Sequence, residues 1–266
     1  MQIDFEDRGS GPTLLFLPGS YSTKDAWRGI LGSLRGSYRT ITTSLPGYGG
    51  TDEVRDGNVS DMTEMLDFVV RVSEEIGEPF HIIGHSFGGQ TAMAATLFGA
   101  VTPLSMITFE GNPIYSIPNQ GTFSWRQGVL ELMDEFKRAI ANEEQDAAAL
   151  IIDFWGVPGF FASMPEAVQE FCRSTAYTNL LDWQSASGFN PEISDFAKIS
   201  IPSTLVRGEL ANEAIVEITG LITAAMPDAG EKIVEGAGHF LISTHSKQCA
   251  EIIDQHMAAF YRGKER

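Results

Sequence analysis

The chain has 266 residues, 43% of them hydrophobic, a formal net charge of −17 at pH 7 and only two cysteines. The acidity argues against a nucleic-acid partner, and two lone thiols argue against a disulfide framework and a cysteine zinc site. No apolar run approaches the roughly 20 residues that cross a bilayer, and the acidic N-terminal stretch is unlike a secretory signal, so we expect a cytoplasmic protein without a membrane span.

The first part of the chain alternates short apolar runs with helical patterns. QIDF and TLLFL flank the turn-like RGSGP and predict a β-hairpin, and the β-branched YRTITTS predicts a third strand. A helix is predicted from Asp61, with Glu64 as its capping-box partner, to a C-terminal cap at Gly77. PFHIIG then predicts a buried strand and QTAMAATLFGA the helix after it.

The alternation continues through LSMITF and resumes near the C-terminus. STLVRG and EKIV predict strands, and EAIVEITGLITAAM and THSKQCAEIIDQHMAAF predict helices. Strands that alternate with helices are typical of an α/β fold, in which a mostly parallel central sheet is flanked by helices.

Residues 113–198 break this alternation, with helical patterns at GVLELMDEFKRAIAN and PEAVQEFCRSTAYTNLLDW. Nearly half of the aromatic residues of the chain lie here, among them Phe154, Trp155, Phe160, Phe161 and Trp183. We expect residues 113–198 to form a helical lid over an apolar pocket, on a core of residues 1–112 and 199–266. The same aromatics would also serve as the core of a small helical subdomain.

Residues 84–88, Gly-His-Ser-Phe-Gly, match the G-x-S-x-G pattern between a predicted strand and a predicted helix. That is the context in which a nucleophilic serine lies on a sharp strand-to-helix turn. Side chains at positions 84 and 88 would crowd such a turn, and the helix that follows points its first amides, beginning with that of Phe87, at developing negative charge. The pattern predicts Ser86 as a nucleophile.

With this motif the chain resembles the α/β-hydrolase fold family over nearly its full length. LLFLPGSYSTKDAW resembles the family's oxyanion loop, with Pro18-Gly19 where His-Gly is frequent, so the resemblance implies Ser20 as the second amide donor. TTSLPGYGGTD and EGAGHFL resemble two further family loops, and the latter places His239 as the base. The helical lid then follows the strand LSMITF, which corresponds to the family's strand 6.

The acid that orients the histidine is less obvious. In the family it often ends a pattern like G-x-x-D after the strand that STLVRG matches, but here that position is Ala211, with Glu209 two residues earlier and Glu213 two later. Glu110 instead follows LSMITF, at the carboxyl end of a strand, where catalytic groups of open α/β sheets gather. Some family members are similar, with a glutamate there. We expect Glu110 as the acid, with Glu209 as the alternative.

These residues predict a serine hydrolase that acts on a carboxylic ester, thioester or lactone of a small apolar molecule through an acyl-enzyme. Ser86, His239 and Glu110 would be catalytic, Phe87 and Ser20 would form the oxyanion hole, and neither a cofactor nor a metal is expected. Two alternatives stay open: carbon–carbon bond hydrolysis or cofactor-free haloperoxidase chemistry on the same residues, and a non-catalytic binding protein on a hydrolase scaffold. A homo-oligomer is compatible with the sequence.

Overall fold

A computed structural model describes residues 1–58, 61–111, 113–116 and 124–264. Within these residues one sheet runs in the order β1-β3-β2-β4-β5-β6-β7. The strands are β1 (Phe5–Gly9), β2 (Thr13–Leu17), β3 (Arg39–Thr43), β4 (Phe80–His85), β5 (Met106–Phe109), β6 (Ser203–Gly208) and β7 (Ala229–Val234). β1 pairs antiparallel with β3, and the other five pairs are parallel. This confirms the predicted mostly parallel sheet.

The predicted hairpin is wrong, because β3 lies between β1 and β2. The burial of the two strands gives the physical reason. All five residues of β2 are buried, whereas β1 is largely exposed. A strand that is apolar on both faces gains most from an interior position between two parallel neighbours, and a polar strand is suited to the edge of the sheet.

The helices cover both faces of the sheet. Each predicted helix is found with shifts at its ends, except that the pattern PEAVQEFCRSTAYTNLLDW forms two helices that meet at Thr175. They are α1 (Arg28–Leu31), α2 (Thr63–Ile76), α3 (Ser86–Leu97), α4 (Ser124–Ala141), α5 (Ala147–Trp155), α6 (Phe160–Ser163), α7 (Glu166–Ser174), α8 (Ala176–Gly188), α9 (Glu213–Ala225), α10 (Leu241–Thr244) and α11 (Ser246–Lys264). Gly77 caps α2 in the left-handed conformation, as predicted, but Met62 rather than Asp61 is the N-cap and the capping box is absent. No helix in the described ranges has the length and hydropathy of a membrane span.

Side chains of the central strands alternate between two apolar clusters. Leu15 and Leu17 of β2 pack into a large cluster with α2, α4, α8 and α9, and Leu14 and Phe16 pack on the opposite face with α11. Each such side chain, when fully buried, stabilises the fold by about 1.5–3 kcal/mol. The sheet is therefore the buried middle layer of the molecule.

Residues 113–198, the inserted segment, follow β5, the strand that the run LSMITF predicts. The described part of the segment holds α4 to α8. Its residues Phe136, Ile151 and Trp183 belong to the same apolar cluster as Leu15 and Leu17. Residue 112, at the predicted boundary, and residues 117–123 of the segment lie outside the described residues. The division into a core and a lid stays a prediction.

A partly buried polar cluster joins the last helix to the amino-terminal ends of the central strands. The Ser105 hydroxyl lies 2.6 Å from Nδ1 of His81 and 2.7 Å from Nε2 of His256, and His256 Nδ1 lies 2.8 Å from the hydroxyl of Thr204. Burial lowers the pKa of His256 from 6.5 to about 4. The ring is therefore neutral at pH 7, and it takes up a proton more readily in the unfolded chain.

This lowered pKa makes stability depend on pH. The pKa of His256 is about 4 in the folded protein and 6.5 in the unfolded chain, so between these pH values the unfolded state binds more protons than the folded state. The free energy of unfolding therefore has the full contribution of neutral His256 above about pH 6.5 and loses it as the pH falls toward 4. The free energy of unfolding of the wild type should fall by about 2 kcal/mol more than that of His256→Gln between pH 7 and pH 5. Urea titrations at both pH values measure it, and parallel pH dependence in the two proteins would contradict the assignment.

Candidate active site

Ser86 lies on the turn between β4 and α3, in a backbone conformation with φ of 51°. This left-handed region is unfavourable for a serine and is kept only where the surrounding structure imposes it. Glycines make the turn possible. A Cβ on Gly88 would lie 2.2 Å from the carbonyl oxygen of Pro18, and one on Gly84 would lie 2.5 Å from that of Gly88. The motif glycines are thus required by close backbone contacts, as the sequence predicts.

His239 comes from the loop that follows β7, and it lies against Ser86. Its Nε2 is 3.1 Å from the Ser86 hydroxyl oxygen. The loop reaches this position by passing over Gly208 at the end of β6, where a Cβ would lie 2.1 Å from the carbonyl oxygen of Ala237. A side chain at position 208 would therefore push the histidine loop away from the serine.

Glu110, directly after β5, binds the second nitrogen of the His239 imidazole. Its side chain is fully buried, and its Oε2 lies 2.8 Å from Nδ1 of His239. Its Oε1 accepts a hydrogen bond of 2.7 Å from the amide of Gly208. Because a carboxylate only accepts, we assign the ring proton of His239 to Nδ1, which leaves Nε2 free to accept the proton of Ser86.

The alternative acids lie elsewhere. Glu209 is exposed, and its carboxylate accepts a 2.8 Å hydrogen bond from the amide of Gly236, at the base of the histidine loop. Glu213 is the exposed first residue of α9, where a carboxylate is favoured by the helix dipole. The structure brings Ser86, His239 and Glu110 together and leaves Glu209 outside this group.

The residues predicted for the oxyanion hole flank the serine. Phe87 is the second residue of α3, and the first amides of a helix have no acceptor inside the helix. Ser20 follows β2 in a loop that lies over the serine, since a Cβ on Gly19 would be 3.0 Å from Cβ of Ser86. Ser20, Ser86 and Phe87 line one pocket.

A buried ion pair fixes the Ser20 loop to the inserted segment. The carboxylate of Asp182, on α8, accepts hydrogen bonds from the hydroxyls of Ser20 at 2.5 Å and Tyr48 at 2.7 Å and from Arg55 at 2.6 Å. The side chains of Arg55 and Asp182 are 4% and 2% exposed. Burial raises the pKa of Asp182, whereas Arg55 and the two hydroxyls lower it. The sequence analysis assigned no role to Asp182. The signal that could have found it is an acidic residue on the apolar face of a predicted helix.

His85 binds the backbone of the loop that carries His239. Its Nε2 lies 2.9 Å from the carbonyl oxygen of His239, so it donates there. Burial and the neighbouring His239 lower the pKa of His85 from 6.5 to about 3. His85 is therefore neutral at any working pH and can keep this hydrogen bond.

The pocket above Ser86 has an empty volume of about 680 Å³, its open mouth included, and its walls are mostly apolar. Trp155 lies over His239 with its ring 5.4 Å from the imidazole, and it stacks on Trp183 at 6.2 Å and 14°. Of the aromatics singled out in the sequence, these two line the pocket, whereas Phe154, Phe160 and Phe161 pack behind it. Within the described residues no group of three His, Cys, Asp or Glu side chains could hold a metal ion.

The buried pair of Asp182 and Arg55 gives a test of stability. Asp182→Ala removes one of the two carboxylates that bind the buried Arg55, while Glu53 stays in place. The loss of this charged hydrogen bond should lower the free energy of unfolding by at least about 1.5–3 kcal/mol. The matched control is Asp25→Ala, which breaks a surface pair with Arg28 and should cost less than about 1 kcal/mol. Denaturant unfolding at pH 7 measures the free energy of unfolding of both variants. Equal losses would show that the buried pair stabilises the fold no more than a surface pair does.

Comparisons with known proteins identify the family of the chain. The sequence model of the alpha/beta hydrolase family matches residues 14–252. A pimeloyl-[acyl-carrier protein] methyl ester esterase of Aeromonas hydrophila is 22% identical over 258 residues, which are 96% of this chain and 98% of that protein. A 2-succinyl-6-hydroxy-2,4-cyclohexadiene-1-carboxylate synthase of Photorhabdus laumondii is 24% identical, but the match spans only 66% of this chain and 60% of the synthase.

Among solved structures, a thermophilic esterase of Thermogutta terrifontis superposes with a TM-score of 0.77 at 17% identity, over 97% of this chain and 93% of the esterase. At that identity the likeness shows the fold alone. The match of the family model over most of the chain shows the family, and this protein belongs to the alpha/beta hydrolases.

Proposed function

We propose that the protein is a serine hydrolase that cleaves carboxylic esters of small apolar molecules through an acyl-enzyme. The observation that carries the proposal is the continuous hydrogen-bonded chain from Ser86 through His239 to Glu110 at the base of an apolar pocket. A serine hydroxyl becomes an effective nucleophile when a neighbouring base accepts its proton, and that base needs a carboxylate to fix its orientation.

In the first half of the reaction the Ser86 oxygen attacks the acyl carbon while its proton moves to Nε2 of His239. The imidazolium that forms is stabilised by Glu110, which already accepts from Nδ1. The amides of Phe87 and Ser20 bind the oxyanion, and stabilisation by preformed donors is a large part of such catalysis. His239 then gives its proton to the leaving alcohol, and Ser86 is left acylated.

In the second half a water molecule donates its proton to His239 and attacks the acyl group. The tetrahedral intermediate collapses, the carboxylic acid leaves, and the proton returns to the oxygen of Ser86. Thioesters and lactones contain the same electrophilic carbon and can follow the same steps. The chain of proton transfers needs no cofactor.

Two observations support an apolar ester as the substrate. The pocket walls are mostly apolar, and the inserted segment contributes Ile151, Trp155 and Trp183 to them, which fits the role of a lid over the acyl or alcohol group. The Aeromonas relative is named as a methyl ester esterase. The hydrogen bonds that link Ser86 to His239 and His239 to Glu110 argue against a non-catalytic binding protein. A cytoplasmic location and the oligomeric state stay predictions.

The choice of acid is tested by two matched substitutions. Glu110→Gln should lower kcat about a hundredfold or more on a p-nitrophenyl ester, because an amide nitrogen facing Nδ1 would favour the wrong tautomer of His239. Glu209→Gln, which alters only an exposed loop contact, should change kcat by less than about threefold. Steady-state kinetics on folded proteins, checked by circular dichroism, measure both. Loss of turnover in Glu209→Gln alone would show that the catalytic acid is Glu209 and not Glu110.

A further inference from the structure

We propose that Asp182, on α8 of the inserted segment, is a positioning residue that holds the amide of Ser20 in place as an oxyanion donor. The inference rests on the proposed function and adds to it a side chain that acts through Ser20 rather than on the substrate. The hydroxyl of Ser20 donates to Oδ2 of Asp182 at 2.5 Å, and both residues line the pocket. One donor of the oxyanion hole is thus oriented by a residue that lies 162 positions away in the chain.

The loop around Ser20 does not fix this amide by a backbone hydrogen bond. Within the described residues the amide of Ser20 has no acceptor, which leaves it available to an oxyanion. Tyr21, the next residue, has a φ of 55°, which is unfavourable for a residue with a side chain and persists only where the surroundings impose it. The conformation at residues 20 and 21 therefore depends on contacts from outside the loop, and the hydrogen bond to Asp182 is such a contact.

The carboxylate of Asp182 is itself held in place. It is buried, and besides Ser20 it accepts from Arg55 through Oδ1 and from Tyr48 through Oδ2. Arg55 is bound in turn by Glu53, at 2.7 Å. Hydrogen bonds between charged groups are shorter and stronger than those between neutral groups, so an acceptor bound in this way has a well-defined position. Asp182 can therefore determine the orientation of the hydroxyl that donates to it.

The orientation of Ser20 matters because an oxyanion hole works through donors that are in place before the charge develops. The Oγ atom of a serine is separated from Cα by Cβ alone, so a fixed Oγ restricts rotation of the whole residue. A catalytic group displaced by about 1 Å can lower the rate about a hundredfold. A hydrogen bond that served the fold alone would stabilise the protein and leave the rate of hydrolysis unchanged, so kinetics distinguish the two roles.

Ser20→Ala tests the proposal, because it keeps the backbone amide and removes only the hydroxyl that binds Asp182. We expect kcat/KM on p-nitrophenyl octanoate to fall about tenfold, less than the loss of about a hundredfold or more that follows removal of a whole donor. The inhibition constant of octyl trifluoromethyl ketone, which adds to a catalytic serine as an oxyanion, should rise by a similar factor. That of octyl methyl ketone, which adds to serine far less readily, should change by less than about twofold.

The matched control is Ser22→Ala, in the same loop. The hydroxyl of Ser22 is buried without a hydrogen bond to any described residue. Its removal is the same chemical change near the same amide, but it breaks no contact to Asp182. We therefore expect kcat/KM and both inhibition constants to stay within about twofold of the wild type.

A double-mutant cycle shows whether Asp182 acts through Ser20. Asp182→Ala should lower kcat/KM at least as much as Ser20→Ala does. Ser20→Ala added to Asp182→Ala should then cost less than about a further twofold, because both changes remove the same contact. Where Asp182→Ala does not fold, the comparison of Ser20→Ala with Ser22→Ala decides.

Three results would overturn the proposal. Wild-type kcat/KM and wild-type inhibition in Ser20→Ala would show that the contact to Asp182 serves only the fold. An equal loss in Ser22→Ala would show that any change in this loop impairs the enzyme, and losses that multiply in the double variant would show that Asp182 does not act through Ser20. A wild type that hydrolyses no ester and is not labelled by a fluorophosphonate would contradict the proposed function itself, which separates that failure from a failure of this proposal.

Discussion

The two oxygens of the Glu110 carboxylate bind two different loops at once, and the geometry of the site depends on this. One oxygen accepts from the amide of Gly208 at the end of β6, and the other accepts from His239 in the loop after β7. The same contacts fix the tautomer of His239 and satisfy a buried negative charge. Without them the imidazole of His239 would lose the contact that orients it toward Ser86, although each residue would still be present.

Close backbone contacts make this arrangement possible. Gly88 lies against the end of β2, Gly208 against the histidine loop, and Gly111 against Gly89 at the start of α3. At each of these positions a Cβ would lie less than 3 Å from a backbone atom, so the neighbouring elements could not approach as they do. Ser86 and Glu110 both have positive φ angles of about 50°, which is unfavourable locally and is imposed by the packing around them.

Local patterns were sufficient to predict most of the elements, and they singled out three residues that the structure brings together. Ser86 and His239 lie in motifs whose strand and helix context is visible in the sequence, and Glu110 was inferred from its place at a strand end. Pairing between distant segments was less predictable: β3 separates β1 from β2, contrary to the predicted hairpin. The Arg55–Asp182 pair joins residues 127 positions apart, so no local pattern indicated which side chain Asp182 would bind.

The central claim is that Ser86 carries the acyl group during turnover, and capture of that intermediate tests it most directly. Turnover of a p-nitrophenyl ester is quenched with acid within the first catalytic cycle, and the mass of the intact protein and of its peptides is then measured. We predict a burst of p-nitrophenol close to one equivalent of enzyme and an acyl adduct on the peptide that contains Ser86. An adduct on another residue, or steady turnover with neither burst nor adduct while Ser86→Ala remains active, would contradict the account.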